Sequence, residues 1–351
     1  MGTSVVVVGA GLVGASVAIA LTAAGRQVYL RDQVPAHAQV AASLGGGSTE
    51  DPDPAQVGLC VVAVPPTVIA TVVADALERY PAAVVTDVGS VKDAVLAELQ
   101  QTGADLARYL GSHPMAGSQH AGPLTARGDL FQDRTWVLCP HPGSSPQALA
   151  QVEQLARTCG ARCVTMAPAD HDLAVARVSH LPQLMSTLTA GRLLQVPREH
   201  LRLAGQGIRD VTRTAGSDPG LWRQIVTANA AAVRAELAAV HQQMGELLEA
   251  LDDPDQVEQV LARGRAGTRV LPGKHGQVAA DYAQVVVEIP DTPGALARLF
   301  SQVGAAGVNV EDLAIEHDEA REVGFLAVSV APQQVPELEQ AMRDAGWVLR
   351  A

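Results

Sequence analysis

The chain has 351 residues, of which 48% are apolar and 18% charged; this is a folded globular composition with room for two or three cores, and it excludes a disordered chain. A formal charge of −12 argues against nucleic acid or an anionic membrane as partner, and 3 Trp, 4 Tyr and 3 Phe leave little material for stacking recognition. Cys60, Cys139, Cys159 and Cys163 fit no disulfide framework, and the Cys159/Cys163 pair lacks a second pair of metal ligands, so reduced thiols in a cytoplasmic protein are expected.

The apolar N-terminus "VVVVGAGLVGASVAIALTAAG" has no basic segment before it and does not read as a signal peptide, and no uninterrupted apolar run reaches membrane-span length. Residues 1–167 alternate strand-like runs with helical segments: "SVVVVG" (4–9), "QVYLRD" (27–32), "GLCVVAV" (58–64), "AVVTDV" (83–88) and "TWVLCP" (135–140). The alternation predicts a parallel sheet covered on both faces, a Rossmann-type dinucleotide-binding domain. Gly9, Gly11 and Gly14 form G-x-G-x-x-G directly after the first strand, with Leu12 and Val13 opening a helix whose amides would face a pyrophosphate. Asp32 ends the next strand, where a carboxylate binds ribose hydroxyls and repels a 2′-phosphate; this favours NAD, against which stands Arg31 beside it. Val64 and Pro65, in "AVPP", form a wall of the cofactor site.

Polar groups then occur where an apolar protein would not place them. "TDVGSVK" carries Ser90 and Lys92 at the carboxyl edge of the sheet, with Ser90 also placed to cap a helix starting near Val91. "GSHPMAGSQHAG" carries His113 before a proline that biases it to extended backbone, among small residues that let a ligand approach. "ARVSHLPQLMSTL" carries His180 within a helical apolar pattern that Pro182 must bend. "GIRDVTRTAGSDPGLW" concentrates Arg209, Asp210 and Arg213, an anion clamp or an Arg209–Asp210 ion pair.

Residues 168–263 read as all-helical. Val226, Val233, Val240 and Leu247, interleaved with Ala230, Leu237, Met244 and Leu251, form a heptad seam that places one long helix along another, within the chain or across a homodimer. Residues 264–282 are rich in glycine and arginine and read as a linker. Residues 283–351 follow a β-α-β-β-α-β order, a separate ferredoxin-like module.

Together, "GAGLVG", "DVGSVK", "HPMAGS", "VSHLPQ" and "RDVTRTAGSDPGLW", in this order over about residues 4–250, resemble the prephenate/arogenate dehydrogenase family of tyrosine biosynthesis. The C-terminal "DTPGALARLF" and "GVNVEDL" resemble an ACT domain, a module that senses amino acids. The resemblance implies NAD-dependent oxidative decarboxylation of prephenate. Hydride leaves the ring carbon bearing the 4-hydroxyl, the ring carboxylate departs as CO₂ and the ring becomes aromatic. His113 matches the family's catalytic histidine, and a base so positioned contributes ~10²–10⁴-fold. Ser90 matches the serine that bonds this histidine and the substrate hydroxyl. Arg213 matches the arginine that binds a substrate carboxylate, a buried charged contact worth on the order of 2–5 kcal/mol. His180, Ser118 and Trp222 match residues near the substrate.

Gln119 stands where many relatives carry an acidic residue. Arogenate carries an ammonium where prephenate has a ketone, and a buried ammonium needs a carboxylate; the neutral Gln119 therefore favours prephenate, with His120 and Asp129 able to alter the local charge. In the ACT-like module, Asp291, Gly294 and Asn309 are expected to hold an effector amino acid, L-tyrosine as feedback inhibitor. Arogenate or an amino-substituted prephenate are alternative substrates, and an NAD-binding regulatory protein without catalysis is the alternative class. That last reading is disfavoured because Ser90, His113 and Arg213 are all present.

Overall fold

The valine run of the first strand is buried because helices cover both faces of its sheet. In the computed structural model, which describes residues 4–117, 122–271, 282–290, 292–318 and 323–350, β1 (Ser4–Val8) lies between β2 (Gln27–Arg31) and β3 (Val57–Val62). β4 (Val84–Asp87) completes a parallel sheet in the order β2-β1-β3-β4. Val5 and Val7 pack with α1 (Leu12–Ala23), α2 (Pro35–Ala41) and α5 (Pro146–Thr158) on one face. Val6 packs with α3 (Ile69–Arg79) and α4 (Asp93–Thr102) on the other. Each such valine contributes ~1.5–3 kcal/mol relative to exposure, which is why the run shows no polar alternation.

Beyond β4 the structure departs from the all-parallel expectation. β5 (Gly111–Pro114) runs antiparallel to β6 (Thr135–Cys139), and β7 (Arg162–Thr165) runs parallel to β6. The Leu110 amide donates to the Val85 carbonyl (3.1 Å), joining the chain that enters β5 to β4. Both extra strands carry weak sequence signals: β5 is "GSHP", and the largely exposed β7 begins on an arginine.

Beneath β5 lies a buried ion pair. The Lys92 ammonium contacts the Asp87 carboxylate, which also accepts from the Tyr109 hydroxyl (2.7 Å) and the Gly89 amide (2.9 Å). Lys92 is 1% exposed and Asp87 fully buried. A side chain at Gly111 would come within 3.1 Å of both Lys92 and Tyr109, so any larger residue there would have to push this cluster aside by a few tenths of an ångström.

The helical segment begins with α6 (Pro168–Val175), passes through one π-type stretch at Ala176–His180 and continues as α7 (Leu181–Leu193). The expected bend at Pro182 is thus absorbed as a π-bulge, a device that recurs at functional sites. α8 (Gln206–Thr212) and α9 (Pro219–Ala228) follow. The heptad seam is not one helix: the chain breaks at Asn229 (φ −111°, ψ 30°) before α10 (Ala230–Ala250). Val233 is buried against Ala176, with Leu184, Val226 and Leu237 around it, whereas Met244 and Leu251 are exposed.

The chain divides into two compact units, Met1–His241 and Gln242–Ala351. In the second, α11 (Pro254–Thr268) carries helix five residues into the expected linker. Its sheet has the order β11-β8-β10-β9, all antiparallel, from β8 (Ala283–Pro290), β9 (Asp312–Asp318), β10 (Val323–Val330) and β11 (Val348–Arg350). α12 (Ala295–Ala305) and α13 (Val335–Asp344) pack on it through Leu299, Val303, Leu338 and Met342, with Trp347 closing the core.

Replacing Asp87 by Asn leaves Lys92 as an uncompensated buried charge. Asp87→Asn should therefore lose about 3–5 kcal/mol of unfolding free energy in a urea titration; a loss below about 1 kcal/mol would contradict the buried pair.

Candidate active site

At the nucleotide end, the three glycines have separate physical reasons. Gly9 has φ +96°, and a Cβ there would lie 2.2 Å from the Ala63 carbonyl oxygen. A Cβ on Gly14 would lie 1.9 Å from the Gly9 carbonyl oxygen, so this glycine sets how closely α1 approaches the strand. Gly11 meets nothing within 4 Å. It is the N-cap of α1, and no side chain caps that helix, so the amides of its first turn, Leu12 and Val13 included, are open donors. Open amides at a helix start with clear space before them suit a pyrophosphate.

Asp32 spans this loop: its carboxylate accepts from the Ala10 amide (2.7 Å) and the Val34 amide (2.8 Å). Arg31 is directed elsewhere, donating to the carbonyls of Leu30, Thr49 and Glu50 and pairing with Asp51 at 2.5 Å. The arginine that stood against NAD is thus engaged in the structure, while the carboxylate that favours NAD borders the loop. Val64 lies 3.2 Å from where a Gly9 Cβ would stand, beside the glycine loop, and Pro65 follows it, exposed.

The chemical end is built around a chain of side chains. His113, half-buried on β5, shares a 2.9 Å hydrogen bond between its Nδ1 and Nε2 of His171. His171, fully buried on α6, bonds through Nδ1 to the Asp172 carboxylate at 2.7 Å. Asp172 also accepts from the backbone amides of Lys92 and Asp93, both at 2.9 Å, and so caps the start of α4. The Asn229 amide donates to the Asp172 backbone carbonyl (2.8 Å) and meets His180 Nδ1 at 3.3 Å. His180 in turn meets the Trp222 ring edge-on, with centroids 6.0 Å apart.

Burial holds the His113 imidazole well below its ordinary pKa, and the repulsion it would meet from a protonated His171, from the Lys92 ammonium and from a protonated His180 pushes the same way. Burial likewise lowers His180, opposed by Asp172 and aided by His171. At neutral pH His113 is therefore an unprotonated base. The four cysteines are free, and burial pushes Cys60, Cys139 and Cys159 up to about 12, so none of these three is a thiolate nucleophile.

His113, His180 and Trp222 thus belong to one connected region, with Asn229 as a link that the sequence reading missed. Two other roles change. Ser90 does not cap α4, which starts at Asp93 and is capped by Asp172; and the hydrogen bond at His113 Nδ1 is to His171 rather than to Ser90. Arg213 lies on a turn fixed to α7 by the Gln183 amide donating to the Thr214 carbonyl and the Ala215 amide donating to Ser186. It is exposed, not buried, so the larger energy expected for it does not apply to this chain alone. Asp210 accepts from Gln206 instead of pairing with Arg209. Ser118, Gln119, His120 and Asp291 lie outside the described residues. The missed pair His171–Asp172 carried a faint signal, "DHD" on the apolar face that also carries His180.

Residues 17–165 match the family model of the prephenate dehydrogenase nucleotide-binding domain, and residues 167–263 match that of its dimerization domain. A probable prephenate dehydrogenase of Streptomyces niveus is 35% identical over 97% of this chain and 98% of its own length. Cyclohexadienyl dehydrogenase of Zymomonas mobilis is 30% identical over 65% of this chain and 82% of its own. Among solved structures, a putative prephenate dehydrogenase of Corynebacterium glutamicum is 30% identical, with a TM-score of 0.67 over 76% of this chain and 89% of that one. Arogenate dehydrogenase of Synechocystis is 27% identical, with a TM-score of 0.64 over 76% of this chain and 98% of that one. The chain belongs to the prephenate dehydrogenase family.

Proposed function

We propose that the protein converts prephenate to 4-hydroxyphenylpyruvate and CO₂ by NAD-dependent oxidative decarboxylation. The observation that carries this reading is the unprotonated imidazole of His113, half-buried on β5 and bonded to the helical segment through His171. When bound, NAD⁺ supplies the hydride acceptor. His113 takes the proton of the substrate's 4-hydroxyl as that carbon is oxidised, and returns it to the phenolate oxygen once CO₂ has left, so the histidine ends as it began. Ser90, on the loop held by Asp87, is read as the hydroxyl that orients the substrate's own. Arg213 is read as the cation for a substrate carboxylate, with His180 and Trp222 beside the ring and Ser118 near it.

The neutral Gln119 supports prephenate over arogenate on charge alone. The likeness to the Synechocystis arogenate dehydrogenase supports arogenate as a second reading. Asp32 beside the loop and the engaged Arg31 support NAD over NADP. A homodimer through the helical segment is supported by the match to a dimerization domain and by exposed Met244, Leu248, Leu251 and Leu261. The C-terminal unit is read as an ACT-type sensor of L-tyrosine. Gly294, at φ +85°, precedes α12 with no side-chain cap, leaving amides for a carboxylate, while Asn309 is bonded to Glu311 at 2.5 Å.

NADH formation is to be followed with prephenate and with arogenate, each with NAD⁺ and NADP⁺, with and without L-tyrosine. The expected result is fast turnover of prephenate with NAD⁺, slowed by L-tyrosine, with kcat lowered ~10²–10⁴-fold in His113→Asn. Turnover of arogenate alone would overturn the substrate, a preference for NADP⁺ the cofactor, and indifference to L-tyrosine the effector.

A further inference from the structure

The bond from His113 to His171 fixes more than the position of an imidazole. Asp172 brings two oxygens to three donors: the amides of Lys92 and Asp93, and His171 Nδ1. An ionised carboxylate only accepts, so His171 must carry its proton on Nδ1. Its Nε2 is then a lone pair, and the partner at 2.9 Å, His113 Nδ1, must be the donor. Among the described residues, that leaves Nε2 of His113 as the basic nitrogen of the pair without a hydrogen-bond partner, open to a substrate.

We propose that His171 and Asp172 are positioning residues that hold His113 in its Nδ1–H tautomer, present Nε2 as the base, and neutralise the positive charge His113 acquires while it holds the substrate's proton. This rests on the reading of His113 as the catalytic base. During the reaction Nε2 takes the hydroxyl proton and later returns it. Nothing is consumed, and the charge is transient. The Asp172 anion is fixed in place by two amides at the start of α4, so it needs no reorganisation when that charge appears.

The charges around His113 come from each neighbouring element. Lys92, before α4, is positive and lies against Asp87 of β4. His171 and Asp172 come from α6, and His180 from the π-type stretch. With burial, Lys92 and, when protonated, His171 and His180 disfavour a protonated His113, while Asp172 is the anion at the far end of the hydrogen-bonded chain. Removing it in Asp172→Asn makes His113 a weaker base. The acid limb of kcat/KM should move to lower pH by about one unit, while the plateau falls ~10- to 10²-fold, as when the outer partner of an essential imidazole is lost. A purely structural role would lower the plateau and leave the limb where it was.

The first test needs no turnover. Nitrogen-15 spectra of the histidine-labelled full-length protein, with His113 assigned by its loss in His113→Asn, should show the Nδ1–H tautomer. His171→Gln, whose amide oxygen still accepts, should keep that tautomer, and His171→Leu should lose it. An Nε2–H tautomer in the unsubstituted protein would overturn the inference, as would an unmoved acid limb in Asp172→Asn. If His113→Asn is inactive and the limb does not move, the relay fails and the catalytic base stands. If neither prephenate nor arogenate is oxidised, the functional reading fails, and the tautomer alone decides the relay.

Discussion

One carboxylate connects the sheet to the helices of the first unit. Asp172 receives the open amides at the start of α4 and the ring proton of His171, and its backbone carbonyl receives Asn229. A helix start offers four orphan donors, and capping one typically contributes about 1 kcal/mol. Here the cap comes from 79 residues further along the chain, so the same contact that begins a helix also ties polar groups of the sheet to those of the helical segment. Asn229, which meets both Asp172 and His180, is the residue at which the chain breaks between α9 and α10. At this interruption of the heptad seam the Asn229 side chain links Asp172 to His180.

A second constraint runs beneath the first. The buried Asp87–Lys92 pair holds the loop from β4 to α4, with Tyr109 and Gly89 completing the carboxylate's bonds. A buried ion pair is weak support for stability, since well-packed apolar residues often do as well. Its consequence here is positional: Lys92 delivers its backbone amide to Asp172 while its ammonium bears on His113. The nucleotide end works on separate principles, with close packing at Gly9 and Gly14 and open space at Gly11.

Much of this is legible in the sequence, because the strongest signals are local. The buried valine run, the spacing of Gly9, Gly11 and Gly14, and Asp32 at a strand end are patterns of backbone geometry, and the structure places each where backbone physics requires. His113 stands out because proline and glycine surround it. What escaped reading is non-local. His171 and Asp172 look like ordinary helix residues until the fold carries them to β5 and α4, and Ser90 looked like the cap because the true cap lies far along the chain. β5 and β7 were missed because Gly, Pro and Arg mask short strands whose partners supply the order. The seam was read as one helix because periodicity is blind to the break at Asn229.

In this mechanism Asp172 acts on the reaction through His113. A double-mutant cycle of Asp172→Asn and His113→Asn in kcat/KM tests it most directly, since residues that act as a unit are not additive. Asp172→Asn should cost ~10-fold or more in the native background and almost nothing once His113 is gone. Equal costs in the two backgrounds would contradict it and leave Asp172 as a helix cap alone.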